Sequence, residues 1–390
     1  MPTQHSTPQT VLMIGPPLDQ VGGIVAVAGQ MRSLDFVDRH RLTFFPETHS
    51  REANEGFPRR VLRHVRHLAL LRRTLRRTRA TIIHIHTCSG FSFYRSTLDL
   101  LLGRLLGRRV VLHIHGAMFD EFHRTEPAWR RRVIAWSLAR ADRVIALSSR
   151  WRDKLLSIAP HAAVAVVENA VEIPDRPRPP RELPSAGCRF LLLARMDVWK
   201  GIDDLLAACE RLHAGGVPFD LTLAGPPGTA GDAETINGKI ASRQLQDAVR
   251  YVGSVEGERK AACFREADVY VQPSHYEGMP IALLEALAHG LPVVATRVGA
   301  VPEVLQHERQ GLLVPAQARD QLSAAMRRVA LDPALRQAMA GRAAALAARR
   351  FSLTRLRNDL LAIYDELSMP RRGTADTAVA HSGAFYPSSE

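Results

Sequence analysis

The sequence contains few cysteines. Among 390 residues there are four, Cys88, Cys188, Cys209 and Cys263, and no two of them form a C-x-x-C pair. This scatter excludes a disulfide framework and a zinc site built from closely spaced cysteines. We therefore expect all four side chains to act as small buried hydrophobic groups.

Long hydrophobic runs are also missing. No apolar run reaches the roughly 18 residues that a membrane-spanning helix needs, and "LDLLLGRLLGRR" is interrupted by Asp99, Arg104 and Arg108. The N-terminus "MPTQHSTPQT" has neither the basic region nor the apolar region of a signal peptide. The sequence therefore predicts a cytoplasmic protein.

The composition is that of a globular protein. Hydrophobic residues make up 46% of the chain and charged residues 23%, which is typical of soluble proteins rather than disordered or fibrous ones. A single hydrophobic core rarely grows to this chain length, because larger chains divide into domains. We expect two domains.

Positive charge is distributed unevenly. The formal net charge is +13, and the whole excess of positive charge lies in residues 1–190, which contain 30 Lys and Arg but only 16 Asp and Glu. It is densest from Arg59 to Arg79, a segment with nine arginines and no acidic residue. Apolar residues recur there every three or four positions, which predicts a helix with an apolar stripe and a cationic face. The stripe consists of Val61, Leu62, Val65, Leu68, Leu71 and Leu75.

Three interpretations of this arginine-rich segment remain open. An amphipathic cationic helix suits an anionic membrane surface, and this interpretation ranks first. The second is an ordinary domain helix whose stripe is core and whose arginines are solvated. Nucleic-acid binding ranks last, and no nucleic-acid partner is expected, because no recognition motif accompanies the charge.

Short β-branched runs alternate with helical stretches, which predicts parallel sheets covered by helices. Residues 172–185, with five prolines, suit neither a helix nor a central strand and are predicted to be a hinge. The Rossmann-like domains are then residues 1–171 and 186–350, with ligands bound in the crevice between them. A helix follows at 351–368, and the polar tail 369–390 is expected to be disordered.

A further helix is predicted within "SHYEGMPIALLEALAHGLPVV", from about Pro280 to His289. Proline is tolerated in the first turn, and the glycine that follows the helix can end it. Glu277 then lies in the loop before the helix and Glu285 lies inside it, with both carboxylates toward one side. The N-terminal N–H groups and the helix dipole make an anion site that suits phosphate. Taken alone, such glutamates are more often a helix cap and a polar face.

Four motifs change this interpretation. The segment from Glu277 to Glu285 is similar to the E-x7-E signature of retaining glycosyltransferases of family 4, which have the GT-B fold. Arg195 and Lys200 have the family's R-x4-K spacing after the first strand of the second half, "VGG" follows the opening strand, and "VVLHIHG" ends a later one. These matches span about residues 10–367, and the chain is identified as a member of that family.

The resemblance implies a role for each matching residue. Glu277 would contact the hydroxyls of a donor sugar, and Glu285 the ribose of its nucleotide. Arg195 and Lys200 would hold the diphosphate, because two fixed cations can stabilise a leaving group without a metal ion. His115 would be a catalytic residue together with Glu277, and Gly22 and Gly23 would let the backbone approach the phosphates. No metal or cofactor is expected, since no D-x-D motif occurs in the sequence.

Histidines alternate with isoleucine in two predicted neighbouring strands, at His84 to His86 and His113 to His115. Alternate residues of a strand point to the same face, and His115 is preferred over His113 because it is nearer the carboxyl end. Four such histidines could form a metal site, but a hydrogen-bonded core is the more usual arrangement and is what we expect.

One position departs from the family pattern. Members often have Asn-Gly-Val where this chain has Asn169, Ala170 and Val171. If the glycine serves a positive φ angle, alanine would be strained there and the loop would differ in shape.

The resemblance implies a metal-independent, hexosyltransferase-type enzyme that moves a sugar from a nucleotide diphosphate sugar to an acceptor hydroxyl with retention. It also implies that the last helix returns to the first domain. A basic first half favours a surface-polysaccharide or lipid-linked glycan acceptor and a peripheral position on the inner face of the cytoplasmic membrane. A sugar-nucleotide epimerase of the same fold is the main alternative, and a nucleic-acid-binding protein is a weaker one.

Overall fold

The structure is a computed structural model that describes residues 8–20, 22–36, 39–47, 57–175, 187–228 and 232–369. The first half contains β1 (Gln9–Gly15), α1 (Gly23–Arg32), β2 (His40–Pro46), α2 (Phe57–Thr78), β3 (Ile82–Thr87), α3 (Phe91–Leu105), β4 (Arg109–Ile114), α4 (Phe119–Thr125), α5 (Ala128–Arg140), β5 (Arg143–Ala146), α6 (Ser149–Ile158) and β6 (Val164–Val166).

The second half contains β7 (Cys188–Leu193), a 3-10 turn (Val198–Lys200), α7 (Ile202–Ala214), β8 (Phe219–Ala224), α8 (Asp232–Ser242), β9 (Val249–Tyr251), α9 (Gly257–Glu266), β10 (Val269–Gln272), α10 (Ile281–Ala288), β11 (Val293–Thr296), α11 (Val301–Val304), β12 (Gly311–Val314), α12 (Arg319–Leu331), α13 (Pro333–Arg350) and α14 (Leu353–Ser368).

Each half is built around one six-stranded parallel sheet. The strand orders are β2-β1-β3-β4-β5-β6 and β12-β11-β10-β7-β8-β9. The order therefore reverses between β1 and β3 in the first sheet and between β7 and β10 in the second. Loops that leave the carboxyl ends of strands diverge at such a point and open a crevice for ligands. The predicted class, α/β with two Rossmann-like halves of the GT-B type, is confirmed.

Helix α14 packs against the first sheet, although it follows the second sheet in sequence. The Tyr364 hydroxyl lies 2.7 Å from His84 Nδ1 on β3, and the Asp365 carboxylate lies 2.9 Å from His40 Nε2 at the start of β2. Burial of the apolar face of α14 on β3 explains why the chain crosses back.

A carboxylate from the second half caps a helix of the first half. Glu303 on α11 accepts hydrogen bonds from Ser148 Oγ at 2.7 Å and from the backbone N–H groups of Ser149 and Arg150 at 2.9 and 3.1 Å. Those N–H groups lie at the N-terminus of α6, where the helix dipole favours an anion. This contact and the chain near Asn169, whose side-chain amide donates to Met279 O at 2.9 Å, join the two halves.

Two expectations, on the burial of the cysteines and on strain at Ala170, need correction. Cys188 and Cys209 are buried, but Cys88 and Cys263 are only half-buried. Ala170 is fully buried, yet it is not among the described residues with positive φ, so the strain expected of alanine at this position is absent. The turn accommodates alanine because its backbone does not enter the left-handed region.

The apolar stripe of α2 is only partly core. Leu71 and Leu75 are fully buried, whereas Val61, Leu62 and Val65 are exposed. The interpretation of α2 as an ordinary core helix therefore holds for its second half and is wrong for its first.

Of the proposed hinge, residues 176–185 lie outside the described residues, as do residues 370–390 of the proposed tail. Among the described helices, none has the length and apolar character that crossing a membrane requires.

Candidate active site

Two loops of the second half meet at the point where its strand order reverses. One follows β7 and ends in the 3-10 turn, and the other joins β10 to α10. Lys200 Nζ lies 2.7 Å from Glu277 Oε1 across these loops, and the Glu277 carboxylate is buried. Since β7 and β10 are hydrogen-bonded neighbours, residues 77 positions apart in sequence form one ion pair.

Two glycines allow the backbone around the Lys200–Glu277 pair to pack closely. Gly201 has φ +69, and a Cβ there would lie 2.1 Å from the Pro273 carbonyl oxygen. Gly299 has φ +53, and a Cβ there would lie 1.9 Å from the Glu277 carbonyl oxygen. Both positions combine a left-handed backbone with close backbone contact, which only glycine tolerates.

Helix α10 carries the second glutamate as the sequence predicts. Pro280 is its N-cap rather than a first-turn residue, and Gly290 just beyond it has φ +70. Glu285 Oε1 accepts a hydrogen bond from Lys260 Nζ at 2.6 Å. Glu285 Oε2 is buried and has no hydrogen-bond partner among the described residues. A buried carboxylate oxygen without a partner can accept hydrogen bonds from hydroxyl groups of a ligand.

A buried tyrosine connects the two glutamates electrostatically. Tyr270 on β10 donates a hydrogen bond from its hydroxyl to Leu193 O at 3.2 Å. Burial raises the pKa of Tyr270 well above its usual value, and the nearby carboxylates of Glu277 and Glu285 raise it further. Burial also raises the pKa of Glu285, while the Lys260 ammonium group lowers it. The two carboxylates thus act on one small region of the crevice wall.

Arg195 is less constrained than Lys200. Its Nε lies 3.2 Å from Asp197 Oδ2, and its side chain is 63% exposed. It lies in the same loop as Lys200 but pairs with Asp197 rather than with Glu277. Its long side chain can turn toward a bound diphosphate only by leaving Asp197.

The first half faces this site through the end of β4. A Cβ on Gly278 would lie 3.2 Å from the His115 carbonyl oxygen and 4.0 Å from Ala117 N. The residue after Glu277 is therefore in close contact with the residue that the sequence selects from "HIH". This approach brings the backbone at His115 against the loop that carries Glu277.

The His115 ring is held in place by His86. His115 Nε2 and His86 Nδ1 share a hydrogen bond of 2.8 Å, and the two rings stack with their centroids 5.0 Å apart. Burial lowers the pKa of His86 to about 3, and burial together with His86 holds the pKa of His115 well below its usual value.

Gly22 and Gly23 begin α1, and both are exposed. A Cβ on either would meet no atom within 4 Å. They follow β1, which neighbours β3 at the reversal of the first sheet, and so lie at the carboxyl edge of that sheet. Within the described part of the chain, a Cβ built on either glycine reaches neither Lys200 nor Glu277.

Cavities border the site on two sides. One, of about 390 Å³, is lined by Trp199, Asp204, His275 and Arg319 beside the loop that holds Lys200. The other, of about 490 Å³, lies between α6 and the segment Gly299 to Glu303, so residues of both halves line it.

Sequence reasoning missed several residues that shape the site. Lys260 lies on α9 with no motif around it, and only the packing of α9 beside α10 shows that it pairs with Glu285. Gly299 lies in "VGAVPEVL", and its close approach to Glu277 O joins it to a loop that lies 22 residues earlier in the chain.

Two family models match the two halves. Residues 34–174 match Glycosyltransferase Family 4, and residues 178–345 match Glycosyl transferases group 1. The amylovoran biosynthesis glycosyltransferase AmsK of Erwinia amylovora is 30% identical over 54% of this chain and 52% of its own. The chain thus spans about half the length of that curated relative.

Solved structures share the fold. The sucrose-phosphate synthase of Thermosynechococcus elongatus superposes with a TM-score of 0.76 at 20% identity, over 92% of this chain and 99% of that protein. The HepE protein of Anabaena, in complex with UDP-glucose, superposes with a TM-score of 0.69 at 17% identity, over 92% and 99% of the two chains.

Proposed function

Since this chain belongs to the group 1 glycosyl transferases with the GT-B fold, we propose that it transfers a sugar from a nucleotide diphosphate sugar to an acceptor hydroxyl with retention of configuration. The observation that carries the proposal is the partly buried Lys200–Glu277 ion pair at the reversal of the second sheet, where the next residue, Gly278, approaches the His115 segment of the first half.

In this proposal the second half binds the donor. The free Oε2 of Glu285 accepts hydrogen bonds from the ribose hydroxyls, and the Glu277 carboxylate accepts hydrogen bonds from hydroxyls of the sugar. Lys200 and Arg195 neutralise the diphosphate, and the exposed Arg195 turns from Asp197 to do so. His115 contributes a hydrogen-bonding ring on the opposite wall. Fixed charges stabilise charge that develops in the transition state better than water does, because they need no reorganisation.

The reaction breaks the bond between the anomeric carbon and the diphosphate oxygen. The acceptor oxygen bonds to the same carbon on the same face, and its proton passes to the leaving phosphate oxygen. The diphosphate thus serves as leaving group and base, and Lys200 stabilises the charge it gains. A double displacement would need a carboxylate nucleophile, and the Glu277 carboxylate is already paired with Lys200.

UDP-glucose is the first donor to test, because the HepE structure contains it. A ligand that binds only the folded protein raises its melting temperature. Glu277→Ala should reduce the shift produced by the preferred sugar nucleotide, while Glu258→Ala, an exposed glutamate on α9, should leave it unchanged. Equal shifts for wild type and Glu277→Ala with every sugar nucleotide would contradict the role of Glu277. Conversion of the donor sugar without any acceptor would instead favour the epimerase.

We further propose that the acceptor lies at an anionic membrane surface, as a surface-polysaccharide or lipid-linked precursor. The support is an apolar and cationic surface formed by α2, α3 and α5, here called the α2–α3–α5 face. Its exposed apolar side chains are Val61, Leu62, Val65, Leu70, Phe91, Leu98, Leu101, Leu105, Trp129 and Trp136. Between α3 and α5 lies an apolar groove of about 650 Å³. Arginines interleaved with exposed Trp and Leu suit the headgroup region of a bilayer.

The membrane proposal predicts a specific charge dependence. Arg72 and Arg73 are exposed on α2, and each arginine near an anionic surface contributes about 1 kcal/mol of binding. The double variant Arg72→Gln/Arg73→Gln should therefore bind vesicles containing anionic lipid about 30-fold more weakly than wild type. The matched control is Arg327→Gln/Arg342→Gln, two exposed arginines of the second half. Vesicle binding that ignores lipid charge and salt would refute the proposal.

A further inference from the structure

A cluster of buried histidines lies between the first sheet and α14. His84 and His86 are on β3 and His113 is on β4, with His86 directly in register with His113. All three are at least 99% buried. Their rings are in contact, with centroids 4.9 Å apart for His84 and His86 and 5.2 Å apart for His86 and His113. The sequence predicts a hydrogen-bonded core here, and the structure has these hydrogen bonds.

The hydrogen bonds do not satisfy the cluster. His84 Nε2 shares a hydrogen bond of 3.2 Å with His113 Nδ1, and His86 Nδ1 is taken by His115. His86 Nε2 and His113 Nε2 are buried and have no partner within the described part of the chain. A neutral imidazole has one donor and one acceptor nitrogen, so each tautomer of His86 and His113 leaves a buried polar atom unsatisfied. Buried polar atoms without partners are rare, and each calls for an explanation such as a bound ion.

The geometry is close to that of a metal site. One ring nitrogen from each of His84, His86 and His113 lies within 4.8 Å of the other two. Ligand nitrogens of a tetrahedral zinc ion lie about 3.4 Å apart, given Zn–N distances of about 2.0–2.1 Å. The 3.2 Å between His84 Nε2 and His113 Nδ1 already matches this separation, so the main adjustment needed is a closer approach of His86 Nε2 to these two nitrogens.

Outer partners of the kind that metal-bound histidines use are also present. A ligating histidine usually donates its second ring N–H to an oxygen or another acceptor, which fixes the tautomer and the ring orientation. His84 Nδ1 lies 2.7 Å from the Tyr364 hydroxyl, and His86 Nδ1 lies 2.8 Å from His115 Nε2. Because both contacts use Nδ1, the Nε2 atoms of His84 and His86 face the cluster, and a bound ion would replace the hydrogen bond between His84 Nε2 and His113 Nδ1.

We propose that His84, His86 and His113 form a binding site for a divalent transition-metal ion. Three neutral imidazoles favour Zn²⁺ over Mg²⁺ or Ca²⁺, which prefer oxygen ligands. With three protein ligands, a fourth position remains for water or an anion. The ion would link β3 to β4, hold α14 through Tyr364, and fix the His115 ring through His86. No chemical step of the proposed sugar transfer uses the ion, so metal binding can be tested independently of that function.

Metal binding by the chelator-treated, tag-free protein tests the proposal. Wild type should bind one Zn²⁺ per chain by elemental analysis, and Zn²⁺ should raise its melting temperature while Mg²⁺ should not. Co²⁺ should give the visible absorption bands of a tetrahedral site with nitrogen ligands. His113→Gln should lose these bands and the Zn²⁺ shift, whereas His161→Gln, an exposed histidine at a distant loop, should keep both.

Removal of a buried imidazole can destabilise the fold, so the metal-free melting temperature of His113→Gln is measured first. If that variant is unfolded, Tyr364→Phe provides the second test, because it removes only the hydroxyl that orients His84 and should weaken Zn²⁺ binding about 10- to 100-fold. Absence of the Co²⁺ bands in folded wild type would overturn the proposal. So would Zn²⁺ shifts that are equal in wild type and in a folded His113→Gln.

Discussion

Replacement of Lys200 by alanine should lower kcat for sugar transfer by about 10²- to 10³-fold, the usual effect of removing one fixed group that stabilises transition-state charge. The ammonium group would be lost from the place where the diphosphate gains charge, and Glu277 would lose its ion-pair partner at 2.7 Å. Steady-state kinetics with donor and acceptor measure the change, with KM for the donor recorded separately.

A matched control for Lys200 lies in the same half of the chain. Lys239 Nζ forms an ion pair with Asp203 at 2.8 Å, on a partly exposed surface where ion pairs contribute little. Lys239→Ala should leave kcat within a few-fold of wild type. If Lys200→Ala changes only KM, the lysine contributes to ground-state binding and not to the departure of the diphosphate.

Gly299→Ala should lower kcat/KM by about 10²-fold, although Gly299 has no chemical role. An alanine Cβ would lie 1.9 Å from the Glu277 carbonyl oxygen, so the loop carrying Glu277 and Gly278 must move. Displacement of a positioning group by about 1 Å is enough for a 10²-fold loss. The variant would also be destabilised, since a left-handed conformation costs an L-residue about 1–2 kcal/mol.

Gly216→Ala is the control that separates the effect of backbone strain from the effect of moving the Glu277 loop. Gly216 has φ +65, similar to Gly299, but a Cβ there would meet no atom within 4 Å. Both variants should unfold at lower denaturant concentrations than wild type, and only Gly299→Ala should lose activity. Unchanged kcat/KM in a folded Gly299→Ala would show that the exact position of the Glu277 loop does not matter for transfer.

The local signals for the helix that carries Glu285 were sufficient to predict it. Pro280 directly precedes α10, and Gly290, with a positive φ angle, follows it closely. The predicted helix, Pro280 to His289, differs from the observed one, Ile281–Ala288, by one residue at each end. Parallel strands buried on both faces read as continuous apolar runs, which explains why the β-branched runs of the first half predict its parallel sheet.

The burial and the partners of individual side chains, by contrast, could not be predicted from the local sequence. The pattern of α2 predicts one apolar stripe, but only part of α2 lies over the sheet, so Leu71 is buried and Val65 is 57% exposed. Likewise, the R-x4-K spacing treats Arg195 and Lys200 as equals, whereas the 3-10 turn directs Lys200 toward Glu277 and leaves Arg195 beside Asp197. Partners far apart in sequence decide these outcomes.

By itself the sequence determined the fold class, the order of strands and helices, and the strand ends from which His115, Lys200 and Glu277 project. These features depend on periodicity and on the conformational limits of proline and glycine, which act over a few residues. Only the tertiary structure decided that Lys260 pairs with Glu285, that Gly299 supports Glu277, and that Tyr364 reaches the buried histidines. Such contacts depend on how two sheets and a returning helix are packed, and no local pattern contains that information.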